Sequence, residues 1–135
     1  MSVALVTVVV PDYDDGIAFY VDTLGFDLLS DEQQTPEKRW VMVAPSGGQG
    51  TALLLAKAAS DRQTAAIGNQ TGGRVGFFLT TDDFERDHAA WTQKGVTFTE
   101  APRYEPYGTV AVFRDPFGNL WDLLEPKLGP LADRA

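Results

Sequence analysis

Cysteine is absent from this 135-residue chain, and with it go disulfide scaffolds, thiol nucleophiles and thiolate metal or iron–sulfur sites. A chain without cysteine fits a reducing cytoplasm, which is the location expected here. Histidine occurs once, as His88, so no cluster of imidazoles can be assembled. Basic residues are few, 11 Lys and Arg against 19 Asp and Glu, for a net charge of −8. Such a surface repels phosphate backbones and anionic lipid, which argues against nucleic-acid and membrane partners. The longest apolar run, Val3 to Pro11, is too short to cross a bilayer. It follows Met1-Ser2 without a basic region, so it is not expected to be a signal peptide.

What remains is an ordinary globular composition, 44% apolar and 22% charged. The length suits one domain, or two very small repeated modules sharing a sheet. Val3 to Val10 is a β-branched run, expected as a buried strand. Asp12 or Asp14 can cap a helix bearing Ile17, Tyr20, Val21 and Leu24, with Gly25 as its C′ residue. Strands are expected from Phe26 to Leu29, Arg39 to Ala44 and Thr51 to Ala56, with a polar loop from Ser30 to Lys38. Lys57 to Gly73 reads as a connector holding a short helix near Asp61 to Ile67.

The pattern then repeats. Arg74 to Thr81 is a strand, Asp82-Asp83 caps a helix with Phe84, His88 and Trp91 on one face, and Gly95 ends it. Val96 to Thr99, Gly108 to Phe113 and Leu120 to Leu124 follow as strands, with Ala101 to Tyr107 as a loop and Leu128 to Ala135 as a tail. Asp12 and Asp82, and Gly25 and Gly95, are both 70 positions apart. A constant offset across strand, cap and terminating glycine suggests a duplicated β-α-β-β-β unit. The expected class is therefore α+β, in modules of about residues 3–56 and 74–126 within a single domain spanning 1–135. One face of each sheet packs on its helix; two remaining faces that curve together would enclose a cleft.

The last two strands flank Asp115-Pro116-Phe117-Gly118-Asn119, a turn in which Pro116 presets φ and Gly118 supplies a positive one. The outgoing strand alternates Trp121 and Leu123 on one face with Leu120, Asp122 and Leu124 on the other. Asp122 is a carboxylate among apolar neighbours: it lies in water at a rim, or a cavity uses it.

Three motifs in order carry a resemblance. They are Val10-Pro11-Asp12 with Ala18-Phe19-Tyr20 and Leu24-Gly25-Phe26; Thr81-Asp82-Asp83-Phe84; and Phe113 to Asn119 with Trp121-Asp122-Leu123. The chain resembles the vicinal oxygen chelate superfamily, the glyoxalase, bleomycin-resistance and extradiol-dioxygenase group, over residues 3 to 126. The resemblance implies paired modules forming a cupped mixed sheet around a pocket, usually in a homodimer. Metal-binding members use four ligand positions. These fall at Leu5, among Leu53, Leu54 and Leu55, at Val75 or Gly76, and at Asp122, so only Asp122 can ligate. His88 sits on a helix and reads as packing. No metal or other cofactor is therefore expected.

A pocket lined on this pattern draws on Asp122, Phe78 and Thr80 from the strands. Trp40 and Tyr107 would serve as an aromatic rim and Arg39 as a cation, with Tyr104 and Arg103 as further candidates. Two functions follow. One is a metal-independent small-molecule binding protein, for a planar or cationic ligand. The other is a glyoxalase-like lyase or isomerase using Asp122 as general base, its pKa raised by the pocket.

Overall fold

The computed structural model describes residues 1–134. They divide into two compact units, residues 1–70 and Thr71 onward. The fold is α+β, with one mixed sheet in each unit.

The first unit runs β1 (Leu5–Val10), α1 (Tyr13–Ile17), a π-helical continuation of α1 (Ala18–Thr23), β2 (Asp27–Gln33), β3 (Arg39–Ala44), β4 (Ala52–Lys57) and α2 (Asp61–Ala66). Its strand order is β1-β4-β3-β2, with β1 and β4 parallel and the other pairs antiparallel. Val8, Val10, Val41, Val43, Leu53 and Leu55 are buried on one face. Helix α1 crosses that face at Gly16, where an added Cβ would lie 2.9 Å from Leu55 Cδ1 and 3.4 Å from Val10 Cγ1. Tyr20 has no exposed surface and packs edge-on against Phe19.

The second unit runs β5 (Val75–Thr80), α3 (Phe84–Gln93), β6 (Thr97–Phe98), β7 (Arg103–Glu105), β8 (Gly108–Arg114), β9 (Leu120–Pro126) and α4 (Pro130–Arg134). Its order is β5-β9-β8-β6, with β7 also on β8; β5 and β9 are parallel. The connectivity therefore matches that of the first unit, and β1 and β5 begin and end 70 positions apart. The core is a row of aromatic rings: Trp91 meets Phe113 edge-on, Phe113 stacks on Trp121, and Trp121 stacks on Phe77. His88 stands between the rings of Phe84 and Phe98, at 5.3 and 4.2 Å, which is the packing role expected of it.

The repeat has one irregularity. The second helix is capped by Asp83, which accepts from Arg86 N, and not by Asp82, whose carboxylate pairs with Arg86 instead. The caps Asp12 and Asp83 are thus 71 apart, while Gly25 and Gly95, with φ of 81° and 88°, stay 70 apart. The first helix has one residue more between cap and glycine. Its π-helical turn takes up that residue, since a π turn is an α-helix with one insertion.

Two expected loops and the expected tail contain regular structure. Ser30 to Gln33 extends β2 against β3, because the carboxylate of Asp31 takes Arg39 across the ladder and offsets the polar composition. Arg103 to Glu105 pairs with Gly108 to Val110 as a short hairpin. The tail forms α4.

Candidate functional site

On β9 the side chains of Trp121 and Leu123 enter the aromatic core, so Asp122 points to the other face of the sheet. Its neighbours there are fixed by register: Phe78 on β5 and Val112 on β8 lie directly beside it. Thr80 lies two residues along β5, beside Leu124, which has Val110 on its other side. The bulge between Val75 and Phe77 sets this register and leaves Gly76 outside the ladder.

Phe78 is 58% exposed, a large ring left in solvent on a strand. Beside it Asp122 is half-buried, and its Oδ1 is buried without a hydrogen-bond partner. Burial pushes the Asp122 carboxyl above its ordinary pKa; the charge of Arg103 opposes this, and that of Glu100 adds to it. Arg103 itself is occupied. Its Nε donates to Glu100 at 2.7 and 3.1 Å, its Nη1 to Glu105 at 3.3 Å, and it also bonds the Tyr107 side chain. These partners hold its pKa above the ordinary arginine value, Glu100 most of all. Arg103 therefore lends Asp122 a nearby positive charge without forming an ion pair with it.

The second unit thus brings together four expected residues, Asp122, Phe78, Thr80 and Tyr107, on or beside one sheet face. Glu100 and Glu105 were not anticipated. Their signal was the spacing in Glu100-Ala-Pro-Arg103-Tyr-Glu105, which sets an acid on either side of one arginine. Tyr104 is 72% exposed, and its hydroxyl meets Glu85 at 3.2 Å.

Arg39 and Trp40 belong to the first unit, where they line a groove of about 540 Å³. Arg39 is not a loose cation. Asp31 receives it through Nε at 3.1 Å and Nη2 at 2.7 Å, Asp14 through Nη1 at 2.8 Å, and it lies 5.3 Å over the Tyr13 ring. Among the described residues no three of His, Asp and Glu gather where they would hold a metal ion.

This arrangement can accept a hydrogen bond or a cation at Asp122 with a ring against Phe78, or it can take up a proton at Asp122. Fold and signature agree with a wider comparison. The chain belongs to the glyoxalase/bleomycin resistance protein/dioxygenase superfamily, whose family model matches residues 2–123. A protein of Shewanella frigidimarina is 51% identical over 125 residues, covering 92% of this chain and 93% of its own. Among solved structures, TnmS3, an antibiotic binding protein from Streptomyces sp. CB03234, is 36% identical with a TM-score of 0.75, covering 94% of this chain and 97% of that one. UcmS2 is 30% identical with a TM-score of 0.79, covering 93% and 98%.

Proposed function

We propose that this chain is a metal-independent small-molecule binding protein, whose ligand lays a planar ring on Phe78 and gives a cation or hydrogen-bond donor to Asp122. The observation that carries this reading is the register pair Phe78–Asp122: an exposed ring beside a carboxylate oxygen with no partner. A buried acceptor without a partner is costly, and a ligand donor would remove that cost. Likeness to an antibiotic binding protein supports the same class of ligand. Metal independence rests on the donor set: Leu5, the Leu53–Leu55 run and Val75 or Gly76 occupy the superfamily's other ligand positions.

Calorimetry against a panel of planar aromatic antibiotics, cationic members included, tests this. Phe78→Ala and Asp122→Asn should each weaken the best ligand by about tenfold. A panel with no binder, or a binder indifferent to both changes, counts against it. Protein incubated with Ni²⁺, Mn²⁺, Zn²⁺ and Fe²⁺ and then desalted should retain far less than one equivalent. Near-stoichiometric metal that is lost on Asp122→Ala would restore a chelate mechanism.

A second reading has one specific support, the raised pKa of Asp122, which suits a general base in a lyase or isomerase. Turnover abolished by Asp122→Asn with binding retained would favour it. Further inferences belong to the same reading: both modules act as one domain, the protein is cytoplasmic, and it forms a homodimer that covers exposed sheet edges. Light scattering at micromolar concentration checks the last; a monomeric mass removes it.

A further inference from the structure

Arg103 stands on the same sheet face as Asp122, yet its ion pairs go to Glu100 and Glu105. We propose that Glu100 and Glu105 are positioning residues of the Asp122 site: they hold the Arg103 guanidinium aside, so that Asp122 stays open to a ligand. The inference rests on the reading of Asp122 as a ligand anchor and adds what keeps that anchor free.

The shared face follows from register, because residues opposed in a ladder lie on one side of the sheet. On β8, Val110 is opposite Leu124 and Val112 is opposite Asp122. On β7, Arg103 is opposite Val110 and Glu105 is opposite Gly108. On β5, Phe78 lies beside Asp122 and Thr80 beside Leu124. Arg103, Val110, Leu124 and Thr80 therefore form one row, and Val112, Asp122 and Phe78 form the next. Arg103 is two strands from Asp122, about 10 Å across the sheet, and one row along it. Its charge is felt at the carboxylate, where it opposes the effect of burial. Arg39 and Arg86 are also held by two carboxylates each. Arg103 differs in having a buried acceptor without a partner on its own sheet face.

The arginine has room to turn, since its side chain is 43% exposed. A charge-assisted hydrogen bond to Asp122 would satisfy the orphaned oxygen. What opposes this is local. Glu100, three residues earlier, takes Nε at 2.7 Å, and Glu105, two residues later, takes Nη1 at 3.3 Å. Pro102 restricts the backbone between Glu100 and Arg103, so their contact closes with little loss of freedom. Two adjacent carboxylates thus outcompete one that lies two strands away. A ligand arriving at Asp122 then has no internal ion pair to break, which favours binding.

The double variant Glu100→Gln with Glu105→Gln keeps side-chain size and removes both charges. In its ligand-free crystal structure the Arg103 guanidinium should lie within hydrogen-bond distance of Asp122. A guanidinium left where it stands in the native chain overturns the proposal. Calorimetry adds two planar probes, the neutral donor 1-naphthylmethanol and the cation 1-naphthylmethylammonium. Both should bind the double variant about tenfold more weakly than the native chain, and adding Arg103→Met should restore the alcohol. Weakening of the ammonium alone, with the alcohol unchanged, would show that the glutamates act only as distant charges and would also overturn it. Asp122→Asn in the native chain checks the underlying reading separately. If neither probe responds to that change, the ligand reading falls, while the position of Arg103 in the ligand-free variant still answers for the two glutamates.

Discussion

Two aspartates seven positions apart show how differently one side chain is used. Asp115 is 2% exposed and fully engaged: Oδ1 accepts from Phe117 N at 3.0 Å and Asn119 N at 2.9 Å, and Oδ2 from Asn119 Nδ2 at 2.7 Å. It is the inner scaffold of the β8–β9 turn, because it satisfies backbone donors that the turn would otherwise bury. Asp122 is also withdrawn from water, but one of its oxygens has nothing. Native proteins seldom leave such a group unpaired, and this contrast is what supports the proposal that Asp122 anchors a ligand. Asp115→Ala should destabilise the fold by about 2–4 kcal/mol, since three donors lose their acceptor at once. Chemical denaturation measures this; a loss below about 1 kcal/mol would mean that water replaces the carboxylate freely.

At the level of elements, strand ends are held by single residues with no spare room. Gly108 opens β8 with φ of 155°, and a Cβ there would sit 2.3 Å from Glu125 O on β9. The obstacle is backbone, so Gly108→Ala should cost about 3 kcal/mol or more and loosen the β8–β9 pair. An unchanged melting temperature would show that the strands part easily. Gln70 does a different task on β1. Its Oε1 accepts from Val9 N at 2.7 Å and its Nε2 donates to Thr7 O at 3.0 Å, so one side chain occupies part of the strand's free edge. Gln70→Ala should speed hydrogen exchange at Val9 selectively and cost about 1 kcal/mol.

These elements also show what a reader of the sequence can reach. The two β-α-β-β-β units were legible because the β-branched run, the capping aspartates and the terminating glycines each have a local physical cause. The placement of Asp122 opposite Trp121 followed from strand alternation alone. The pairing of Asp122 with Phe78 did not, because it depends on the bulge at Gly76, which changes the register without changing composition. Likewise Arg39 read as an available cation; its partners Asp14 and Asp31 come from two other elements, and only the fold brings them together. The strand Ser30–Gln33 was hidden because the ion pair that supports it joins two strands.

For the molecule as a whole, charge sets how stability depends on pH. At neutral pH the net charge is −8, and its self-repulsion opposes the compact state. Asp122 adds a separate cost. Its pKa is raised in the fold, chiefly by burial, so the penalty is absent below the reference value of 3.8 and grows as pH rises through the folded value. Asp31 and Asp82 act in the opposite sense. Hydrogen bonds from Arg39 and Arg86 hold their pKa values below 3.8, so their contribution persists above 3.8 and is lost only as pH falls through the folded values. The Arg86–Asp82 pair is solvent-exposed and the Arg39–Asp31 pair is at the surface and only partly covered, so both effects are small. In low salt the melting temperature should therefore be higher near pH ~4.5 than near pH ~8, where surface repulsion and the Asp122 penalty act together. The two parts respond differently to ionic strength. Sodium chloride at about 0.5 M screens exposed charges but reaches a half-buried carboxylate much less, so it should narrow the gap without closing it. Asp122→Asn should remove most of the gap that survives salt. Scanning calorimetry of both proteins at two pH values and two salt concentrations separates the terms. If the residual gap is the same in both proteins, Asp122 is solvated in the fold, and the case for it as the ligand's anchor falls with that result.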